Sequence, residues 1–66
     1  MIVTANGRPV DLPDGATVAT LIDRMGLGGR VIVVERNGEP VDRRAVSQTR
    51  LADGDRCEVV RAVAGG

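Results

Sequence analysis

Leu12-Pro13-Asp14-Gly15-Ala16-Thr17-Val18-Ala19-Thr20-Leu21-Ile22-Asp23-Arg24-Met25-Gly26-Leu27 holds a turn and then a helix, and that helix limits what the rest of the chain can be. Pro13-Asp14-Gly15 has turn chemistry, and Thr17 is a good N-cap. Val18, Leu21, Ile22 and Met25 recur at i, i+3, i+4 and i+7, so one side of a helix over 18–25 is apolar and must be covered. Gly26 suits the position just past the end, and Leu27 can make the accompanying apolar contact back onto the last turn. Asp23 and Arg24 fall off the stripe and should face water.

Toward the N-terminus, Ile2-Val3-Thr4-Ala5 is β-prone. Asn6-Gly7 follows it, a hairpin signal because both central positions of a type I′ turn need positive φ. Arg8-Pro9-Val10-Asp11-Leu12 returns with apolar residues at every second position. Pro9 cannot donate to a ladder, which puts this strand at a sheet edge. Met1, Val3 and Ala5 are read as inward, Ile2 and Thr4 as outward.

Toward the C-terminus, Leu27-Gly28-Gly29-Arg30 reads as a plain loop: a glycine pair could cradle an anion, but no helix follows and no P-loop lysine exists. Val31-Ile32-Val33-Val34-Glu35-Arg36 is the most apolar strand, consistent with burial on most of both faces. Asn37-Gly38 gives a second turn and Glu39-Pro40-Val41 a short edge strand. Asp42 to Thr49 is polar, with Ala45 and Val46 isolated in it. Asp53-Gly54-Asp55 resembles a metal pair but is far more often a turn. Arg56-Cys57-Glu58-Val59-Val60-Arg61 is the last strand, with Cys57 and Val59 on the core side. A right-handed crossover carries the helix from the second strand to a third on the far side of the first, and the final strand fits beside the first. The expected fold is α+β: a β-grasp (ubiquitin-like) domain over 1–61, with a mixed sheet of four to five strands and one main helix across one face.

Composition narrows the function. Sixty-six residues make one small domain. One cysteine and no histidine exclude an intramolecular disulfide and a zinc cluster, so no metal ligands are assigned. No apolar run suits a signal peptide or a membrane span, and a soluble cytoplasmic protein, monomeric when free, is expected. Nine basic and nine acidic residues are scattered and there are no aromatics, which argues against nucleic acid. All nine basic residues are arginine. Without His, Lys or Tyr, the general acids and bases reduce to carboxylates and one thiol, so no catalytic residue is assigned and an enzyme is not expected.

The tail over 62–66 completes Arg61-Ala62-Val63-Ala64-Gly65-Gly66. Glycine has no Cβ, so a Gly-Gly end can thread a narrow channel in extended form and offer a carboxylate to another protein's active site. A frayed terminus is the plain alternative.

With the tail and the order of turns assembled, the chain resembles the ThiS/MoaD family of ubiquitin-like sulfur carriers. The motifs are Asn6-Gly7, the run Leu12-Pro13-Asp14-Gly15-Ala16-Thr17-Val18, Asn37-Gly38-Glu39 with Val41 and Arg43, Leu51 with Asp53-Gly54-Asp55, and Ala62-Val63 before Gly65-Gly66. Val46 stands where relatives often carry a bulky aromatic, and Ala64 where many have a third glycine. Arg61 and Ala62 stand where the molybdopterin-synthase small subunit carries prolines, which favours the thiamin branch over that alternative; a ubiquitin-like modifier is the alternative from a different class.

The resemblance implies a carrier in thiazole formation that binds no cofactor stably. A ThiF-like adenylyltransferase would use ATP and magnesium to adenylate the Gly66 carboxylate. A sulfur donor such as a cysteine desulfurase would convert it to a thiocarboxylate, and a ThiG-like thiazole synthase would receive the sulfur. Gly65 and Ala64 would thread the partner's site, and Val63, Arg61 and Val59 would contribute to docking. A chain without lysine cannot build isopeptide chains on itself, which also fits a carrier.

Overall fold

The computed structural model describes residues 1–28 and 32–61. Asn6 and Gly7 both take positive φ, 52° and 82°, and the chain doubles back between β1 (Ile2–Ala5) and β2 (Arg8–Asp11). A turn with Gly15 leads to α1 (Val18–Arg24). The Thr17 hydroxyl accepts from Thr20 N at 3.3 Å and the Thr20 hydroxyl accepts from Thr17 N at 3.0 Å, a reciprocal cap. Two more free N–H groups of the first turn, Val18 and Ala19, donate to Thr49 O and Val46 O at 2.9 Å each. The strap over 46–51 is thereby fastened across the start of the helix. At the other end Gly26 takes φ 76°, Gly26 N donates to Asp23 O and Leu27 N to Ile22 O, both at 3.0 Å. This is a Schellman stop, with Leu27 packed on the core as its spacing predicts.

β3 (Ile32–Arg36) and β4 (Glu39–Val41) form the second hairpin through Asn37 and Gly38, a 3-10 turn covers Arg43–Ala45, and β5 (Arg56–Arg61) closes the sheet. The order is β2-β1-β5-β3-β4, with β1 and β5 parallel and every other pair antiparallel. This is the β-grasp arrangement, with both proline-bearing strands at the edges. Val3, Ala5, Val34, Cys57 and Val59 of the inner sheet face pack with Leu12, Val18, Leu21, Ile22 and Leu51. Each fully buried aliphatic chain among them, such as Leu21, stabilises the fold by about 1.5–3 kcal/mol.

One expectation needs correction, and one segment without an assigned element acquires structure. β3 is not buried on both faces: Val34 is in the core but Val33 is 54% exposed. A single helix covers only one side of a sheet, so an apolar run here alternates in burial despite its composition. The polar segment after β4 is also less plain than its composition suggests. The Asp42 carboxylate caps the 3-10 turn, accepting from Arg44 N at 2.8 Å, and Val46 is partly buried against the core.

Candidate functional site

β5 is central, and its two ends are held differently. Along one side it pairs with β3 from Arg36↔Cys57 to Ile32↔Arg61. At its start, the Asp55 carboxylate accepts from Ala52 N at 2.8 Å, Arg36 Nε at 3.0 Å and Asn37 Nδ2 at 3.0 Å. Asn37 also accepts from Arg56 N through Oδ1 at 2.9 Å. The Asp55 side chain is 9% exposed, so this is a satisfied buried charge. Burial alone would push its carboxyl up, but the hydrogen bonds from Ala52, Asn37 and Arg36 outweigh it and hold the pKa below the ordinary value. Neighbouring Asp53 accepts from Ile2 N at 2.7 Å, so the Asp-Gly-Asp turn is a structural joint.

At the far end, β5 leads toward the tail. Arg61 is exposed there, opposite Ile32. Val59 is not available for docking: at 4% exposure it belongs to the core, because it alternates with Cys57 on the inner face. The exposed apolar side chains are those one residue out of phase, Val60 at 59% and Val33 directly opposite it. On the next outward rung Glu35 faces Glu58, and neither makes an ion pair among the described residues. Val63, Ala64, Gly65 and Gly66 lie outside the described residues.

Other chemistry is sparse among the described residues. Cys57 is fully buried, and burial, with the Asp55 charge adding to it, pushes its thiol pKa up, away from the reactive thiolate. No group of three or more His, Cys, Asp or Glu is placed to hold a metal ion, and no helix is long and apolar enough to cross a membrane. A groove of about 280 Å³ beside α1, lined by Ala19, Ile22, Ile32 and Val46, has one carboxylate, Asp23, and one guanidinium, Arg43, at its polar positions.

Sequence reasoning missed the roles of several residues here, Asn37 among them. Asn6 reads as a turn former, yet its side chain bonds Val59 on β5 in both directions, at 2.8 and 2.9 Å. Asp55 reads as a turn residue and is a buried hub. Only Val60 had a legible signal: with Cys57 and Val59 inward, strand alternation points Val60 outward.

Comparison with known proteins agrees with this arrangement. Residues 3–66 match the ThiS family. The crystal structure of a thiamine biosynthesis protein (ThiS) from Geobacter metallireducens is similar at a TM-score of 0.81 and 30% identity, covering all of both chains. A solution structure of a thiamine biosynthesis protein from the same organism gives 0.78 and 33%, covering all of this chain and 88% of that one. A thiazole synthase from Paramagnetospirillum magneticum is 33% identical over 66 residues, and the chain spans only 20% of that protein's length. The match over nearly its whole length, on a β-grasp scaffold, makes this chain a member of the ThiS family.

Proposed function

We propose that this chain is a sulfur carrier of thiamin (thiazole) biosynthesis, working as a co-substrate rather than as an enzyme. The observation that carries the reading is the family match running through Gly65 and Gly66, on a chain whose last strand leads toward them. The described acid and base groups offer no constellation for independent chemistry, which fits a protein acted upon by partners.

At neutral pH a terminal carboxylate, pKa about 3.3–3.7, is ionised and a poor electrophile. Carrying sulfur therefore requires activation. A Gly66 carboxylate oxygen attacks the α-phosphorus of ATP in a ThiF-like adenylyltransferase with magnesium, releasing pyrophosphate and leaving an acyl-adenylate. The outer sulfur of a desulfurase-type persulfide displaces AMP to give an acyl disulfide. A thiol reductant then cleaves the S–S bond, releasing the Gly66 thiocarboxylate while the thiol is oxidised to a disulfide. Thiazole synthase then takes the sulfur; the similarity of this chain to a stretch of one thiazole synthase supports that partner. Holding the sulfur on a docked tail raises its effective concentration and keeps free sulfide out. Ala64 and Gly65 thread the narrow part of the partner site. Val60 and Val33, with Arg61 beside them, form the docking patch in place of Val59. These steps belong in the cytoplasm, where ATP is supplied.

The test is intact and C-terminal-peptide mass after incubation with ATP, magnesium, a sulfur source and the adenylyltransferase. Replacement of one oxygen by sulfur on Gly66, followed by its loss to thiazole synthase, is expected. Sulfur accepted only by molybdopterin synthase, or branched peptides on other proteins' lysines, would refute the thiamin assignment.

A further inference from the structure

Parallel pairing of β1 with β5 ends at Ala5 and Cys57, and the last backbone bond between these strands runs from Asn6 N to Cys57 O at 2.9 Å. The odd-numbered residues of this segment face β1: Asp55 O accepts from Thr4 N, and Cys57 O from Asn6 N. Val59 is next in that series, but β1 has by then turned away through the positive φ of Asn6 and Gly7. The Asn6 side chain fills the gap. Its Oδ1 accepts from Val59 N at 2.8 Å, and its Nδ2 donates to Val59 O at 2.9 Å. A carboxamide presents acceptor and donor in one plane, so it imitates the peptide group that a longer β1 would have supplied. Among the described residues, Val60 and Arg61 beyond this point pair only with β3.

We propose that Asn6 is a positioning residue for the carrier tail: its two-point grip on Val59 fixes where and in what direction the chain leaves the sheet. The inference rests on the carrier reading above. A segment of five residues spans at most about 17 Å when extended, so its end reaches a partner's reaction centre only from a well-placed base. Without the grip, Val59 to Arg61 would hang from β3 alone. That freedom would have to be lost again each time the tail engages, and it would appear as weaker productive binding rather than slower chemistry.

Asn6→Gly tests this, because glycine accepts the positive φ of the turn and removes only the amide. Asn37→Gly is the control. It sits in the matching turn, φ 52° and 85°, but its side chain serves the opposite end of β5. Both variants of the full chain are compared with wild type where all are folded, by the KM and kcat for adenylation and by amide exchange at Val59. Asn6→Gly should raise the KM for the carrier roughly fivefold, from the loss of two hydrogen bonds, and leave kcat nearly unchanged. Its Val59 amide should exchange about tenfold faster or more, whereas Asn37→Gly leaves both readings near wild type. An unchanged KM in Asn6→Gly, or an equal rise in both variants, overturns the proposal. If the wild-type chain is not adenylated, the carrier reading fails separately. Faster Val59 exchange in Asn6→Gly would still support the grip, and unchanged exchange would overturn it.

Discussion

The start of β5 is built around a buried carboxylate, while its tail end is held by a neutral amide and left open on its outer face. At the start, Asp55 gathers Ala52, Arg36 and Asn37, joining the β3–β4 turn to the loop before β5. At the tail end, Val60 and Val33 stand in solvent where no helix covers the sheet. Under the proposed carrier function, the difference places stability and recognition at opposite ends of one strand. Substitutions at the start should therefore unfold the protein without altering what the folded part binds, and those at the tail end should do the reverse.

The largest expected effect lies at the start. Asp55→Ala removes the acceptor of three hydrogen bonds and leaves Arg36 without its partner, so it should cost about 3 kcal/mol, measured by urea unfolding. That is a large share of the total for a domain of this size. The same site sets an acid limb. The folded-state pKa of Asp55 is lowered from 3.8, so its stabilisation is complete above that value and drains away as pH falls through the lower folded value. Asp55→Ala should flatten the stability profile below about pH 4, and an acid limb identical to wild type would show that another carboxylate is responsible.

How much of this contrast was legible follows from the range of each interaction. The helix, its Thr17 cap and its Gly26 stop were legible because the apolar stripe and the cap and stop hydrogen bonds lie within a few residues. Both Asn-Gly turns were legible for the same reason. The second roles of Asn6 and Asn37 were not, since each side chain's strand partner is distant in sequence and is fixed only once the sheet has assembled. Burial of Asp55 was hidden for a similar reason: a turn aspartate and a buried one look alike until Arg36 arrives from another strand. The error at Val33 has a different source. Four consecutive apolar residues do not reveal how many faces of a sheet will be covered, and that is decided by the number of helices.

At the tail, Gly66→Ala should leave unfolding unchanged and reduce adenylation by roughly a hundredfold, because a methyl group beside the reacting carboxylate misplaces it. Normal thiocarboxylate formation by this variant would sink the threading argument. A loss of stability instead would mean that the residue is part of the folded domain.

Docking gives a smaller effect and separates the two ends most finely. Val60→Glu should weaken binding of the adenylyltransferase about tenfold while changing stability little, since the side chain is already in water and gains a negative neighbour near Glu58. Ile2 supplies the comparison. It is 53% exposed and apolar, on the same outer face, but Ile2 O accepts from Gly54 N at 2.8 Å, beyond the start of β5 and away from the tail. Ile2→Ser should therefore change binding by less than about twofold and stability by no more than about 0.5 kcal/mol. If Ile2→Ser weakens the partner as much as Val60→Glu does, recognition covers the whole outer face. If only Val60→Glu matters, the partner grips the chain where it leaves the sheet, close to the carboxylate it must activate.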